Sequence, residues 1–226
     1  MNALPTSSLA MVRTLGLVAA ICGALVVTAY QGTLASVEAN RRLALEHAVF
    51  QTIPGAVHMR AFVATPAGIV PAEGAPAAAG ERFYAAYDAG GRLLGIAAEA
   101  AAFGYAGEVR VLYAYDPARE AITGLTVVAH KETPGIGDKV IHDAAFQANF
   151  RALDARLNAA RTALANPIRV VRHGTKRAPW EIDAIAGATV TSRAVGKAVN
   201  ASAQRLLPLL AQHIEALRQA GGENGP

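Results

Sequence analysis

The chain has 226 residues, a formal net charge of +4, and apolar side chains at 53% of its positions. Charged residues make up only 17%, against roughly 25% in ordinary globular proteins. That balance argues against a mainly disordered chain, and the length excludes a large multidomain enzyme. The single cysteine, Cys22, excludes an intramolecular disulfide and any zinc or iron–sulfur site that needs several thiolates.

The N-terminus carries the most apolar stretch. No charge occurs between Arg13 and Glu38, and Leu15–Ala29 (LGLVAAICGALVVTA) is almost wholly apolar. Twenty helical residues span about 30 Å, so Thr14–Leu34 is long enough to cross a bilayer once. A cleaved signal peptide is the competing reading, since Val27-Thr28-Ala29 nearly supplies a cleavage site. A lipoprotein signal is disfavoured because Ile21, not a small residue, precedes Cys22. Arg13 and the terminal amine favour a cytoplasmic N-terminus, although Arg41 and Arg42 beyond the helix partly cancel that bias.

Glu38–Thr52 reads as a short helix leaving the membrane, stopped by Ile53-Pro54-Gly55. Thr65–Gly80, with three prolines, reads as a loose loop. From Glu81 the pattern becomes that of an antiparallel sheet. Strands are predicted over 82–87 and 93–98, joined by Asp88-Ala89-Gly90-Gly91, and over 109–115 and 122–129, joined through Asp116-Pro117. A doubly wound nucleotide fold is excluded, because neither strand–helix alternation nor its glycine fingerprint is present. Residues 143–164 predict a helix with Phe146, Phe150, Leu153 and Leu157 on its apolar face. A strand over 168–171 and a last helix from Thr191 or Ser192 to Leu217 follow, the latter with a threonine or serine cap and Pro208 as the candidate for a kink. The fold class expected is thus α+β: a transmembrane helix (14–34) after a short N-terminus (1–13), a membrane-proximal helix and loop (35–80), a domain of antiparallel sheet with flanking helices (81–220), and a frayed tail (221–226). With 52 alanines and 21 glycines, its core must rely on close backbone packing.

Positive charge is spread thinly apart from Arg169, Arg172, His173, Lys176 and Arg177, so no nucleic-acid partner is expected. The six histidines form no HExxH motif and no GxSxG elbow is present, which leaves neither a zinc-protease nor a serine-hydrolase signature. Two segments look unlike scaffold. His130–Lys139 (HKETPGIGDK) is either an ordinary polar turn or a rigid loop whose Glu132, Thr133 and backbone face a ligand, with Gly135 and Gly137 permitting close approach. Asp183–Ser192 (DAIAGATVTS) is either a plain capped helix start or an anion site at a helix N-terminus, with hydroxyls at Thr189, Thr191 and Ser192.

Together with the single anchor and Gly104-Tyr105-Ala106-Gly107, these segments resemble the G subunit of the Rnf-type electron transport complexes, and more distantly the C subunit of the sodium-translocating NADH:quinone reductases. Both belong to the membrane-anchored FMN-binding domain family. The resemblance implies FMN attached through a phosphoester to Thr189, in a motif where Asp183 matches the acidic position and Gly187 and Ala188 the glycine–alanine pair. Ala186 departs from the family's preferred serine or threonine. Thr191 and Ser192 stay open as alternative acceptors, Glu132, Thr133, Pro134 and Gly135 are expected to shape the flavin pocket, and Lys131, Lys139 or the cluster around Arg172 to neutralise the phosphate.

The same resemblance implies the partners and the role. A separate magnesium-dependent flavin transferase would use FAD, leave FMN on the threonine and release AMP. The protein would carry electrons on the periplasmic face of a bacterial inner membrane, held in the bilayer by one helix beside the other subunits of a complex that couples ferredoxin and NAD chemistry to ion movement. Two alternatives remain: the quinone-reductase subunit, and a flavin-free anchored scaffold, for which Ala186 is the distinguishing feature.

Overall fold

The computed structural model describes residues 8–65, 68–73 and 80–221. The expected N-terminus before Ser8, part of the proline-rich loop (74–79) and the tail after Gly221 lie outside them. Helix α1 runs unbroken over Ser8–Thr52, about 68 Å at the usual rise per residue. The two helices predicted over 14–34 and 38–52 are therefore one. EANRRLALEH consists largely of good helix formers, and nothing interrupts the backbone ladder before Pro54. An 18-residue window of α1 reaches a mean hydropathy of 2.1, so the helix is long and apolar enough to cross a membrane. The chain divides within it into two units, the first ending at Ala44 and the second starting at Leu45.

The second unit is built on strands β1 (His58–Thr65), β2 (Gly68–Pro71), β3 (Glu81–Tyr87), β4 (Leu93–Phe103), β5 (Glu108–Asp116), β6 (Ala121–Ala129) and β7 (Leu153–Asp154). They form one sheet in the order β2-β1-β3-β4-β5-β6-β7, with every neighbouring pair antiparallel. The four predicted strands are β3 to β6. The sequence does not announce β1 and β2, because their signal is drowned by the alanines and prolines around them; stacking of Phe62 on Phe83, with ring centroids 5.7 Å apart, seats β1 against β3.

The two-residue period of the strands divides them between two cores. Phe83, Ala85 and Tyr87 of β3 and Val111, Tyr113 and Tyr115 of β5 face one side, where helix α4 (Thr189–Ala220) supplies Val195, Val199, Leu206, Leu207 and Leu210. Tyr84, Ala86, Ala97, Leu112 and Ala114 face the other, where Ala48, Val49 and Ile53 complete a smaller core. Helix α4 begins two residues earlier than expected, and its non-helical dihedrals fall at His213 rather than at Pro208.

The helix predicted over 143–164 is not present. The segment forms α2 (Lys139–His142), α3 (Ala144–Ala148) and a 3-10 turn (Asn149–Arg151), then β7 and an extended stretch bridged at Leu157 and Leu164. The apolar spacing imitates a helix, but Leu153 pairs with Ile122 of β6 instead, and Phe146 and Phe150 meet edge to face at 5.4 Å. Strands β8 (Arg169–Val171) and β9 (Glu181–Asp183) form a small parallel sheet beside α4.

On the smaller core the sheet admits a backbone at very close range. A Cβ placed on Gly124 would lie 2.9 Å from both the Thr52 carbonyl oxygen and its Cγ2. Thr52 is held there by its hydroxyl, which donates to the Ala48 carbonyl at 2.6 Å and shares a hydrogen bond with Thr126 at 2.8 Å. Backbone cannot yield as a flexible side chain can, so Gly124→Ala is expected to destabilise the domain by about 1–3 kcal/mol. Thermal unfolding of the detergent-solubilised chain measures this, and an unchanged Tm would contradict the packing described.

Candidate functional site

Three segments distant in sequence converge on one carboxylate. Glu132, only 5% exposed, accepts the amides of Ala106 (3.0 Å) and Gly107 (3.4 Å) at Oε1. At Oε2 it accepts the Thr191 hydroxyl at 2.5 Å. The β4–β5 turn, the loop after β6 and the first turn of α4 are thereby tied together. Burial works against ionisation and is the largest single influence, but the Thr191 hydroxyl and the amides of Ala106, Gly107 and Tyr105 together hold the carboxyl below its ordinary value of 4.5. The fit requires glycine on both sides: a Cβ on Gly104 would lie 2.5 Å from Oε1, and one on Gly137 2.5 Å from Oε2. Glu132 therefore faces into the protein, whereas its neighbours Thr133, Pro134 and Gly135 are all exposed. Gly135 has φ +78°, and the Thr133 carbonyl accepts the amides of Ile136 and Gly137 at 3.2 and 3.0 Å, which closes the loop on itself.

The turn into α4 separates three hydroxyls. Gly187 takes φ +82°, a left-handed conformation that an L side chain rarely adopts, and Ala188 follows as N-cap without a side-chain hydrogen bond. The threonine or serine cap expected from sequence is thus not used. Ser192, fully buried, instead accepts the Ile185 amide at 3.1 Å and donates to the Ala188 carbonyl at 2.9 Å. Thr191, also buried, is committed to Glu132. Thr189 donates only a long 3.5 Å bond to the Ile185 carbonyl, in a part-buried setting. The first helical amide to find an acceptor within the turn is that of Ser192, bonded to Ala188 at 2.9 Å. The amides of residues 189–191 precede it and face out of the helix end, where partial positive charge favours an anion. Gly187 is exposed beside them.

Asp183 does something other than reach Thr189. Both its carboxylate oxygens accept the Gly174 amide, at 2.8 and 3.0 Å, and His173 Nδ1 lies 3.6 Å away while contacting the Ala184 carbonyl at 2.9 Å. It thus holds the basic turn at 172–176 onto β9. Asn149, which the apolar spacing places inside an unbroken helix, is a buried hub of the same region. Its amide nitrogen donates to the carbonyls of Phe146 (3.0 Å), Ala145 (3.3 Å) and Asp183 (3.3 Å), and its oxygen accepts Lys176 Nζ (3.0 Å) and the Asp183 amide (3.1 Å). The basic cluster is partly committed to structure: Arg169 pairs with Glu181 at 2.6 Å and Lys176 with Asn149, while Arg172 is exposed.

Residues 104–204, which take in all three converging segments, match the family model described as "FMN-binding domain". The chain is homologous to the G subunits of ion-translocating oxidoreductase complexes. It is 39% identical over 101 residues to the G subunit of the Na(+)-translocating ferredoxin:NAD(+) oxidoreductase complex of Acetobacterium woodii, covering 45% of this chain and 43% of that one. The matched stretch thus spans less than half of that relative. A longer match, 29% identical over 204 residues, covers 85% of this chain and 90% of the G subunit of the ion-translocating oxidoreductase complex of Shewanella loihica. The fold is that of the crystal structure of Shewanella oneidensis NqrC, with a TM-score of 0.61 at 18% identity over 80% of this chain and 99% of the other.

The β8–β9 corner that carries Asp183 has a pH dependence of its own. The backbone amide of Arg177, with the Arg169 guanidinium and the Ala178 amide, holds the Glu181 carboxyl down at about 2, against an ordinary 4.5. A depressed folded value means that its stabilisation is complete above 4.5 and is lost as pH falls towards about 2. Glu181→Gln is therefore expected to lower Tm at neutral pH and to flatten the fall in Tm across that acid window. Parallel slopes for the two proteins would contradict the assignment.

Proposed function

We propose that the chain is the electron-carrying flavoprotein of a membrane-bound, ion-translocating ferredoxin/NAD oxidoreductase complex of the Rnf type, with FMN held through a phosphoester to Thr189. The observation that carries the acceptor is the division of the three hydroxyls: Thr191 and Ser192 are buried and committed to the protein, and Thr189 alone has a single weak partner. The residues fit a phosphate there, because the open amides of α4 and the exposed, left-handed Gly187 leave the threonine beside a positively polarised helix end. Arg172, exposed on the turn that Asp183 holds, is the cationic candidate within the basic cluster. When bound, FMN supplies one- and two-electron chemistry, and the protein supplies its placement.

Loading falls to a separate magnesium-dependent transferase acting on FAD. The Thr189 oxygen forms the new phosphoester bond, the pyrophosphate linkage breaks, AMP leaves, and the hydroxyl proton goes to solvent or to the transferase. The domain stands on the periplasmic side of a bacterial inner membrane with α1 as its single anchor, and its protein partners are the other members of the complex. The likeness in fold to NqrC keeps the quinone-reductase subunit as the second reading. Similarity in sequence to G subunits over most of the chain favours the first. The flavin-free scaffold, for which Ala186 is the distinguishing feature, is the third reading; Ala186 is exposed on the turn before Gly187.

Intact mass under denaturing conditions, after co-expression with a flavin transferase and export, tests the attachment. A gain of one FMN in the unsubstituted chain and none in Thr189→Ala is expected. Equal gains in both would move the acceptor to Thr191 or Ser192, and no gain in either, with the transferase active on another substrate, would remove the covalent reading.

A further inference from the structure

The end of the sheet opposite the Glu132 site carries a second feature. Strand β5 leaves the β4–β5 turn and runs to Asp116, about 30 Å at the rise of an extended chain. There the β5–β6 turn, Arg161 and the last turns of α4 surround a cavity of about 380 Å³. Small-molecule pockets occupy roughly 300–1,000 Å³. Leu210, Ala211 and Ile214 of α4 supply apolar wall. Arg119, Arg161 and Arg218 line it with positive charge, against the single lining carboxylate of Glu120.

Two observations set this cavity apart from a plain crevice. The first is backbone strain. Among the described non-glycine residues, only Glu120 (φ +47°) and Arg161 (φ +56°) have a positive φ. Both line the cavity, and their side chains pair across it at 3.5 Å. Glycine or asparagine would take such turn positions at less cost, so long charged side chains there point to a use for those side chains. The second is Tyr115, only 4% exposed. Two other buried tyrosines of the same core find partners on α4: Tyr113 shares a hydrogen bond with Ser202, and Tyr87 donates to the Leu217 carbonyl. The Tyr115 hydroxyl has no hydrogen-bond partner among the described residues, where no fully covered side-chain polar atom is left unpaired. Its oxygen therefore reaches open space, and the space that Tyr115 lines is this cavity. Burial, with Glu120 adding to it and Arg161 opposing, pushes the hydroxyl up to about 12. It stays protonated at neutral pH and is a donor.

The three guanidinium groups are not equally committed. Arg161 pairs with Glu120, and Arg218 with Glu215 at 2.7 Å. Arg119 is exposed and pairs with no carboxylate among the described residues; nearby Asp116 accepts the backbone amides of Ala118 and Arg119 instead. A planar guanidinium fork matches a carboxylate. We propose that the cavity binds a small organic acid, its carboxylate on Arg119, its apolar body along Leu210 and Ile214, and an acceptor at its inner end receiving the Tyr115 hydroxyl. The site lies apart from the flavin reading and does not depend on it.

The test titrates the full chain in detergent with a fluorinated para-hydroxybenzoate, followed by fluorine NMR against a detergent blank. Saturable binding is expected, with inorganic phosphate and the corresponding fluorophenol, which lacks the carboxylate, both much weaker. Arg119→Gln is expected to weaken the acid about tenfold, the loss of one charge-assisted pair. Tyr115→Phe is expected to weaken it several-fold with Tm unchanged, because it removes an oxygen that the protein itself does not bond. No binding above the blank would overturn the site and leave a water-filled cavity. Binding that both variants leave intact would overturn it too, and would place the acid elsewhere, as at the N-terminus of α4. Phosphate or the fluorophenol binding as tightly as the acid would overturn the ligand class.

Discussion

The site depends on a single buried carboxylate. A charge removed from water is costly unless its hydrogen-bonding capacity is met, and losing one partner of such a group leaves the rest uncompensated. Glu132 is met by amides on one oxygen and a hydroxyl on the other, and that these outweigh burial is seen in the lowering of its carboxyl below the ordinary value. The need to satisfy it dictates the local sequence. Gly104 and Gly137 cannot carry a side chain, and Thr191 cannot lend its hydroxyl elsewhere. What looks like a glycine-rich ligand loop is in large part the housing of this carboxylate.

Helix geometry then divides the labour among neighbouring hydroxyls. Successive residues are about 100° apart around a helix, so Thr191 lies roughly 200° from Thr189. The first turn can bury one against Glu132 only by turning the other outward. Ser192 takes the capping duty by bonding across the turn to Ile185 and Ala188. Chemical availability at Thr189 is thus a consequence of where its neighbours are buried, and needs no special feature of Thr189 itself.

Much of this is legible in the sequence, for identifiable reasons. Strands β3 to β6 declare themselves because alternating residues serve two separate cores, as Phe83 and Tyr84 do. The 130–139 segment stands out by two glycines and a proline at close spacing, and the 183–192 segment by a glycine–alanine turn followed by three hydroxyls. The inward direction of Glu132 and the bracing role of Asp183 are not legible, since both depend on donors 25 or 26 positions away or in another turn. The false helix over 143–164 shows the same limit. Phe146, Phe150, Leu153 and Leu157 have helical spacing, but the pairing of Leu153 with Ile122 lies in a partner strand that local periodicity cannot see. Asn149 compounds it, because its side chain takes up carbonyls of the short helix and joins them to β9.

Thr189, the proposed acceptor, is the first residue of α4 and not part of the loop before it, which has a mechanical consequence. A group tethered to a loop inherits the loop's motion, whereas one on a packed helix inherits the rigidity of the domain. Helix α4 is pinned along its length: Gly196 passes against Val170 with no room for a side chain, Ser202 shares a hydrogen bond with Tyr113 at 3.0 Å, and the Leu217 carbonyl accepts the Tyr87 hydroxyl at 2.8 Å. Its irregularity at His213 lies towards the far end, so the regular turns from Thr189 onward are left intact. The amides that would receive a phosphate are therefore referred to the sheet through α4. Under the proposed electron-carrying role, that reference would let a tethered cofactor stay exposed without its position becoming variable.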